Sequence, residues 1–516
     1  MTATIAALGL LAPPSAAADE PASPQAAQSA ATTDPLAAPA AAEPELDVVE
    51  QAVASVEGDV EVEPSLALAE LYAQYDDLGS ADQAVADSVL ARPTTDDARD
   101  LIRYPDGLPV SNLCGPHVCV KYLTDAEPEG HAPDLADADG NGQPDWVETT
   151  LAELESVWTR EVGTLGFRAP ASDGTRGGDG RLDVFLGNLG PAYFGYCAPE
   201  RNVAGQPFRA SGYCVLDDDF SRAEFGTEPL DALRVTAAHE FFHAVQFNYD
   251  YGEDAWLMEA TATWMEERMA DAADDNRRYL RFGQLGAPET PLDNASPSTY
   301  APYGNWLLFE RLSRDYGVGA VRAIWGRLDA TRGARDEYST QAISRFLAAR
   351  GQSFGGFYVK FASGNLVPGR IYSEGAAYTP TPVARRVVVG NGSATASGRF
   401  ALRHLTHRHV GLVPGNRLTR TRLRIEVNGP VRTSDPRARV RVHYLDGRTA
   451  SVGIALGPQG DGSRVVGFRT DRVARVTLTL ANASTRFTCW QGTYVSCQGR
   501  PRDNASRFAW TATALR

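Results

Sequence analysis

After its first 18 residues, the 516-residue sequence has no apolar run long enough to cross a membrane, which argues against an integral membrane protein. Lysine is nearly absent, with two residues in the chain, and no nucleic-acid recognition motif occurs. We therefore expect neither a membrane span nor a nucleic-acid partner. Histidine is also scarce, with eight residues and none between positions 243 and 404. The position of each histidine is therefore informative.

The N-terminus lacks the basic residues with which a secretory signal normally begins, but its apolar run ends in the small residues Ala16–Ala18, which are typical of a cleavage site. We predict a signal peptide over residues 1–18, with a disordered Ala-rich tail as the alternative. Residues 19–64 have no aromatic residue and are rich in Ala, Pro, Glu and Asp, which predicts a disordered linker or pro-region. Residues 65–107 contain leucines at near-helical spacing, so we predict a short helical segment that is either a propeptide or packs on the next domain.

The six cysteines form an even number, and none lies in the predicted disordered start. Together with the predicted export signal, this favours disulfides in a secreted, extracellular protein over free thiols. Proximity in sequence predicts three local pairs, which are Cys114–Cys119, Cys197–Cys214 and Cys489–Cys497. A thiolate metal site at the first pair is the alternative, but no second cysteine pair lies close to it in the sequence.

An HExxH spacing occurs at His239, Glu240 and His243. On a helix, residues four apart lie on the same face, about 5–6 Å apart, so two neutral imidazoles there can bind one cation. Glu240 projects beside them and can accept the proton of a metal-bound water. The residues around the motif are uncharged, which predicts a buried helix. A structural metal or an inactive site is the alternative.

A catalytic zinc usually has three protein ligands, and zinc sites with an HExxH motif differ in where the third ligand lies in the sequence. A continuation HxxGxxH is excluded, because the chain has Gln246 and Tyr249 at the two diagnostic positions. A second helix is predicted after the acidic turn that ends in Asp254, and Glu259 lies in its first turns. This layout resembles the gluzincin zinc metallopeptidases, and it is most similar to a group of secreted bacterial metalloproteases, from about Ala91 onward.

The resemblance implies zinc ligands at His239, His243 and Glu259, with Glu240 as the general base. It also implies a mixed sheet whose edge strand lines the cleft, and a peptide can add to such an edge as an extra strand. Some zinc peptidases stabilise the oxyanion with a downstream histidine, but none follows here before position 404. Tyr303 is the candidate for that catalytic role, because a tyrosine hydroxyl can donate to a developing oxyanion; an aromatic packing cluster is the alternative.

A calcium-loop pattern runs from position 137 to 148, with oxygen-bearing residues at the ligand positions and a glycine at the sixth. Its predicted ligands are Asp137, Asp139, Asn141, the backbone carbonyl of Gln143, Asp145 and Glu148. A helix is predicted directly after the loop but none before it, so we expect a structural calcium site and not a complete EF-hand. An Asp/Gly turn that caps a helix is the alternative. A second Asp/Gly run, at 172–183, has no such spacing.

Strand and helix patterns follow one another in the central part of the chain. Three runs before the HExxH helix predict strands, at Val118–Leu123, Leu182–Leu186 and Gly212–Leu216. Five helices are predicted after it, at Ala260–Met269, Arg277–Leu285, Tyr303–Tyr316, Val318–Leu328 and Thr340–Arg350.

From about Thr379, short alternating runs separated by turn residues predict a β-sandwich. The predicted strands are Arg386–Val389, Arg422–Val427, Val440–Tyr444, Ser451–Leu456, Val473–Leu480 and Phe508–Thr511. Residues 379–516 contain 23 Arg, no Lys and six acidic residues, a net charge of +17, against −16 for the whole chain. Such a basic module could bind an anionic polymer or its own acidic catalytic domain, and its partner stays open.

We therefore predict an α+β protein. A gluzincin-like catalytic domain at 108–378 would combine a mixed-sheet lobe and a helical lobe around the HExxH helix, and an all-β sandwich domain would follow at 379–516. The predicted function is that of a monomeric, secreted, calcium-stabilised zinc endopeptidase that hydrolyses a protein or peptide substrate. Two alternatives stay open: a non-enzymatic surface- or matrix-binding protein on this fold, and a zinc amidase or peptidase that acts on cell-wall peptides. The intact Glu240 argues against the first.

Overall fold

The computed structural model of the protein describes residues 47–57, 64–93, 104–105, 108–127, 130–390, 392–416 and 421–516. Within these residues, three α-helices precede the first sheet. They are α1 (Val48–Val56), α2 (Pro64–Gln74) and α3 (Ser80–Val89). Helices are thus present where the sequence predicts them after residue 64. The expected signal peptide and most of the expected linker lie outside the described residues. α1 lies inside that linker and is a helix instead, because Asp47 and Glu50 form a capping box and Ala52 is buried.

A five-stranded mixed sheet follows. Its strands are β1 (Val110–Cys114), β2 (Val118–Leu123), β3 (Leu182–Gly187), β4 (Gly195–Asn202) and β5 (Ala210–Asp217). The spatial order is β1-β2-β3-β5-β4; the three central strands are parallel and the two edge strands antiparallel to their neighbours. The three predicted strands are confirmed as the centre of the sheet. Neither edge strand, β1 or β4, was predicted from the sequence. β4 contains Pro199 and several polar residues, which are typical of an edge strand.

Helices pack on this sheet and continue beyond it. They are α4 (Asp145–Trp158), α5 (Arg222–Phe225), α6 (Pro229–Asp250), α7 (Ala255–Met269), α8 (Ala301–Gly304), α9 (Trp306–Tyr316), α10 (Gly319–Trp325), α11 (Ser339–Ala348) and α12 (Phe354–Gly364). The helix predicted at Arg277–Leu285 is confirmed only in its first part, because the helix there is a 3₁₀ helix, Asp275–Arg281, and the chain leaves it after Arg281. The chain then approaches another segment so closely that a Cβ on Gly283 would lie 2.3 Å from the carbonyl of Gly304.

The C-terminal region consists of strands. They are β6 (Arg385–Val389), β7 (Thr395–Leu402), β8 (Thr406–Pro414), β9 (Arg422–Asn428), β10 (Pro436–Tyr444), β11 (Thr449–Ile454), β12 (Asp461–Gly467), β13 (Val473–Asn482), β14 (Phe487–Thr488), β15 (Arg500–Pro501) and β16 (Ser506–Leu515). One sheet has the order β11-β10-β13-β8-β6 and a second has β12-β9-β16-β7. Buried side chains of both sheets, such as Leu478 and Trp510, share one core. All six predicted strands fall on strands, so the protein is α+β with a β-rich C-terminal region.

Ionic and polar contacts join the β-rich region to the helices. Nε2 of His404 lies 2.8 Å from Oδ1 of Asp293, and both side chains are buried. Arg408 forms an ion pair with Glu289, and the buried Arg441 donates from Nε to the Ser363 carbonyl at 2.9 Å. Part of the arginine-rich surface therefore contacts the acidic part of the same chain.

The structure confirms all three predicted disulfides. Cys114–Cys119 joins facing residues of β1 and β2, and Cys197–Cys214 joins facing residues of β4 and β5. Cys489–Cys497 closes a loop after β14. Among the described residues, no helix combines the length and the apolar character that a membrane crossing needs.

Candidate metal centre and cleft

α6 carries the HExxH residues in the buried part of the helix. Every residue from Thr236 to Asp250 is buried, and a helix that is buried on all sides belongs to a core. Here it packs between β4 and β5 on one side and α7 on another. This packing holds His239 and His243 one turn apart, with their ring centroids separated by 4.8 Å.

α7 follows α6 after a four-residue turn and brings Glu259 to the two histidines. Oε2 of Glu259 lies 3.4 Å from Nε2 of His239, and Oε1 lies 3.4 Å from Nε2 of His243. One ligand atom from each of the three side chains lies within 4.8 Å of the others, and all three residues are buried. The structure therefore brings together the three residues that the sequence analysis names as zinc ligands.

The chemistry of this group fits a cation. Within the part of the chain that the structure describes, neither carboxylate oxygen of Glu259 has a hydrogen-bond partner, and Nε2 of His239 has none either. Buried polar atoms in this state are costly unless something else satisfies them. Imidazole nitrogens and a carboxylate oxygen are ligands that suit Zn²⁺. The residues present thus fit the metal that the resemblance implies.

Two further side chains orient the histidines, and the sequence analysis missed both roles. Nδ1 of His239 lies 2.7 Å from Oε1 of Glu266, and Nδ1 of His243 lies 2.7 Å from Oε1 of Gln246. Gln246 in turn donates from Nε2 to the Met258 carbonyl at 2.9 Å. Metal-binding histidines usually have such a partner on the second ring nitrogen, which fixes the tautomer. The signal was present in the spacing, since Glu266 lies two helical turns after Glu259 on the same face.

The electrostatics of the centre favour positive charge. Burial lowers the pKa of His239, but the carboxylates of Glu259 and Glu266 outweigh this and raise it well above its ordinary value. Burial likewise raises the pKa of Glu259, yet the two histidines hold that pKa well below its usual range. A buried carboxylate that stays ionised and favours the protonated form of His239 can draw a cation instead.

Glu240 lies where the centre meets a cavity of about 370 Å³. Burial raises the pKa of its carboxyl group, and the two histidines oppose that rise. Its Oε2 accepts a hydrogen bond from Oγ of Ser65 at 3.0 Å. The first residue of the edge strand, Gly195, lines the same cavity, as do His239 and several aromatic side chains. The arrangement places a buried carboxylate in the wall of a cavity that the ligand residue His239 also lines.

Tyr303 also lines the cavity, and its ring is nearly parallel to that of His239, with the centroids 5.9 Å apart. It packs in an aromatic cluster with Tyr279 and Tyr300, at centroid distances of 4.9 and 5.9 Å. The structure therefore places Tyr303 beside the metal centre. The position agrees with both alternatives, and the role of an oxyanion donor stays a prediction.

The last four positions of the predicted calcium loop, from Asp145 to Glu148, form the first turn of α4. Carboxylate oxygens of Asp137, Asp139 and Asp145 lie within 4.8 Å of one another. Nδ2 of Asn141 donates to Oδ2 of Asp139 at 3.1 Å and to Oε1 of Glu148 at 3.0 Å, so the amide bridges the carboxylates. The loop thus gathers the side chains of five of the six predicted ligands. The sixth predicted ligand is the backbone carbonyl of Gln143, which stays a prediction; the side-chain oxygen of this residue accepts from Tyr122 OH at 3.2 Å.

Backbone donors hold this loop in shape. Oδ1 of Asp137 accepts from the amide of Gly140 and Oδ2 accepts from the amide of Gly142, both at 2.8 Å. These bonds lower the pKa of Asp137 and keep it ionised. Gly142, the glycine of the pattern, has a φ of +90°, which side-chain-bearing residues rarely adopt. The sharp turn that the pattern requires is therefore present.

Comparison with known proteins adds little to this picture. No protein-family model matches the chain, and no curated protein matches it either. Among solved structures, the chain shows a faint similarity to a family GH115 4-O-methyl-alpha-glucuronidase with specificity for decorated arabinogalactans, at 7% sequence identity and a TM-score of 0.14. That match covers 68% of this chain and 54% of the length of the glucuronidase. A likeness this weak carries no argument about fold or function.

Proposed function

We propose that the protein is a zinc-dependent endopeptidase with a gluzincin-like catalytic region. The observation that carries the proposal is the buried convergence of His239, His243 and Glu259, with Glu240 in the wall of a cavity that His239 also lines. Three protein ligands leave a fourth position for water or substrate, which is typical of a catalytic zinc site. The three disulfides support the further proposal that the protein works outside the cell.

The chain's own residues would act as follows. His239, His243 and Glu259 would hold the metal, and Glu266 and Gln246 would orient the two rings. A bound zinc supplies a Lewis acid and lowers the pKa of water toward 7. Glu240 would accept the proton of the attacking water and pass it to the leaving amine.

An extended peptide is the substrate that the cleft favours. β4 is the edge strand of its sheet, and its first residue, Gly195, lines the cavity next to Glu240. α2 covers the strand from Cys197 onward, and beside the cavity the backbone at the start of an edge strand can pair with an added strand, which orients a peptide without reading its sequence. Tyr303 remains the proposed donor to the oxyanion.

The loop from Asp137 to Glu148 is proposed to bind calcium and to stabilise the start of α4. Three carboxylates this close repel one another, and a divalent cation would relieve the repulsion. The ligand of the arginine-rich β region stays open. An anionic polymer remains a proposal for its solvent-facing part.

Two substitutions test the proposal, because they distinguish the role of a metal ligand, Glu259, from that of the general base, Glu240. Glu259→Ala removes a ligand, so zinc content and activity should both be lost. Glu240→Gln keeps the shape and the three ligands, so zinc should stay near one per chain while turnover falls about 10²–10⁴-fold, the usual value of general acid–base catalysis. Glu267→Gln is the matched control, because Glu267 is equally buried on α7 but bonds Asn276 at 2.8 Å and contacts neither histidine.

Zinc is measured by elemental analysis, and turnover with an unfolded protein and with purified peptidoglycan side by side. A wild type that cleaves only the cell-wall peptide would favour the amidase alternative. One that binds zinc and cleaves neither would favour a binding protein. Unchanged turnover in Glu240→Gln would refute the proposed mechanism.

A further inference from the structure

Ser65, far from the metal centre in sequence, contacts its catalytic carboxylate. The residue lies at the start of α2 and is completely buried. Its Oγ donates to Oε2 of Glu240 at 3.0 Å and accepts from the backbone amide of Cys197 at 2.7 Å. A hydroxyl that accepts from a fixed amide points its single proton away from that amide, here toward the carboxylate. The backbone of β4 therefore orients the hydroxyl, and the hydroxyl orients Glu240.

α2 covers part of the edge of the sheet but leaves the cavity open. Ser65 contacts Cys197 within β4, and further along the helix Tyr72 lies against Asn202 at the end of the same strand. The residues at the start of β4, including Gly195, still line the cavity. A substrate can thus reach Glu240 while the contact with Ser65 persists.

The packing of the N-terminal helices shows how firmly α2 is held. Its Leu68 and Leu71 are completely buried in a core that also contains Phe185, Tyr213 and Val215 from the face of the sheet. This core is separate from the one that surrounds the metal centre. Removal of the helices would expose an apolar sheet face to water.

A buried ion network anchors the end of the same segment. Arg92 is 7% exposed and lies 2.7 Å from Asp173, 2.7 Å from Asp183 and 2.5 Å from Glu200. Loss of this buried cation would take an ion-pair partner from three buried carboxylates, which is strongly unfavourable. A segment that is attached in this way behaves as part of the folded catalytic unit and not as a detachable inhibitor.

We infer that Ser65 is a positioning residue that holds the Glu240 carboxylate in its working orientation, so that α2 and the residues up to Arg92 are a permanent part of the enzyme. The inference rests on the proposed function. It predicts that loss of the hydroxyl reduces the rate of the chemical step without loss of the metal, because Ser65 contacts the base and none of the ligands.

The test compares Ser65→Ala with Ser55→Ala. Ser55 is also completely buried in the N-terminal helices, but its Oγ donates to the Ala52 carbonyl at 2.8 Å and does not contact Glu240. Ser65→Ala should lower kcat about tenfold or more, with KM and zinc content unchanged, as expected for a residue that orients a catalytic group. Ser55→Ala should stay within about twofold of the wild type, and Ser65→Thr, which keeps the hydroxyl, should restore most of the rate.

A double-mutant cycle distinguishes positioning from a general structural effect. When Glu240→Gln has removed the carboxylate, Ser65→Ala should change the residual rate by less than about twofold. If Ser65→Ala lowers the rate of the Glu240→Gln enzyme as much as it lowers that of the wild type, the inference is overturned. An unchanged or faster Ser65→Ala enzyme would also overturn it, and a faster one would mean that α2 inhibits.

Mass analysis of the active wild type needs no variant: residues 64–92 should be retained, and their absence would also overturn the inference. A wild type without zinc-dependent activity would instead refute the proposed function itself.

Discussion

Nδ1 of His239 lies 2.7 Å from Oε1 of Glu266, which places a buried carboxylate behind one of the two histidines of the metal centre. Burial raises the pKa of Glu266 to about 7, against the opposing effect of His239. This carboxyl group is the hydrogen-bond partner of that ring nitrogen, and it holds the ring so that Nε2 lies 3.4 Å from Oε2 of Glu259. Glu266 is therefore expected to matter for metal affinity even though it is not a ligand.

Glu266→Ala should weaken zinc binding about 10–100-fold, the usual cost of the loss of a partner that orients a metal-binding histidine. Affinity is measured by competition with a chelator of known strength. Glu267→Ala is the control, since Glu267 is its neighbour on α7 and bonds Asn276 instead of a histidine. Equal losses in the two variants would contradict a specific role for Glu266.

Calcium should raise the melting temperature through the loop that begins at Asp137. Binding to the folded state alone adds RT ln(1 + [L]/Kd), roughly 2.7 kcal/mol at a hundredfold excess over Kd. Glu148→Ala should abolish this response, because Glu148 closes the loop through Asn141. Asp179→Ala should retain it, since Asp179 lies in the second Asp/Gly run and pairs with Arg181. A response that survives in Glu148→Ala would place the calcium site elsewhere.

Short-range patterns predicted most of the metal centre. His239 and His243 share one helix, so their spacing predicts that they are close. Glu259, on the next helix after a short turn, is assigned through the resemblance to gluzincins, and the structure places it beside both histidines. Proximity in sequence also predicts the disulfides, each of which joins residues at most 17 positions apart. The contact between Ser65 and Glu240 spans 175 positions and depends on how α2 packs along β4. No periodicity in either segment encodes that pairing.

Long-range packing also explains the errors in the predicted elements. β4 carries Pro199 and three polar residues after it, a composition that obscures a strand until its place at the sheet edge is known. The helix predicted at Arg277–Leu285 ends early, at Arg281, and the chain at Gly283 then passes directly against the backbone of Gly304. Such a close approach is a property of the folded chain, which the local sequence does not reveal.

Acid should destabilise the β-rich region through its buried histidines. Burial lowers the pKa of His409 to about 3, with a contribution from Arg441, and lowers that of His407 well below its ordinary value. Because the unfolded chain binds these protons first, stability is fully present above about pH 6.5 and is lost as the pH falls below it, by up to about 1.4 kcal/mol per pH unit for each histidine. Urea unfolding at pH 7, 5.5 and 4.5 measures the slope, which should be smaller in His409→Asn. An unchanged slope would contradict the assignment.

The disulfide Cys489–Cys497 should increase the zinc affinity of the metal centre, although neither cysteine lies in the centre. The amide of Cys497 donates to Oδ1 of Asp254 at 2.6 Å, and Asp254 precedes the first residue of α7, five positions before Glu259. Replacement of both cysteines by serine should cost roughly 2.5 kcal/mol of stability, the chain-entropy value for so short a loop. It should also weaken zinc binding several-fold, because the start of α7 loses a fixed partner.

The same double replacement at Cys114 and Cys119, which join two neighbouring strands away from α7, should cost similar stability and leave zinc affinity unchanged. Thermal melting and chelator competition measure the two effects, and equal zinc affinities in the two variants would show that the Cys489–Cys497 loop does not support the centre.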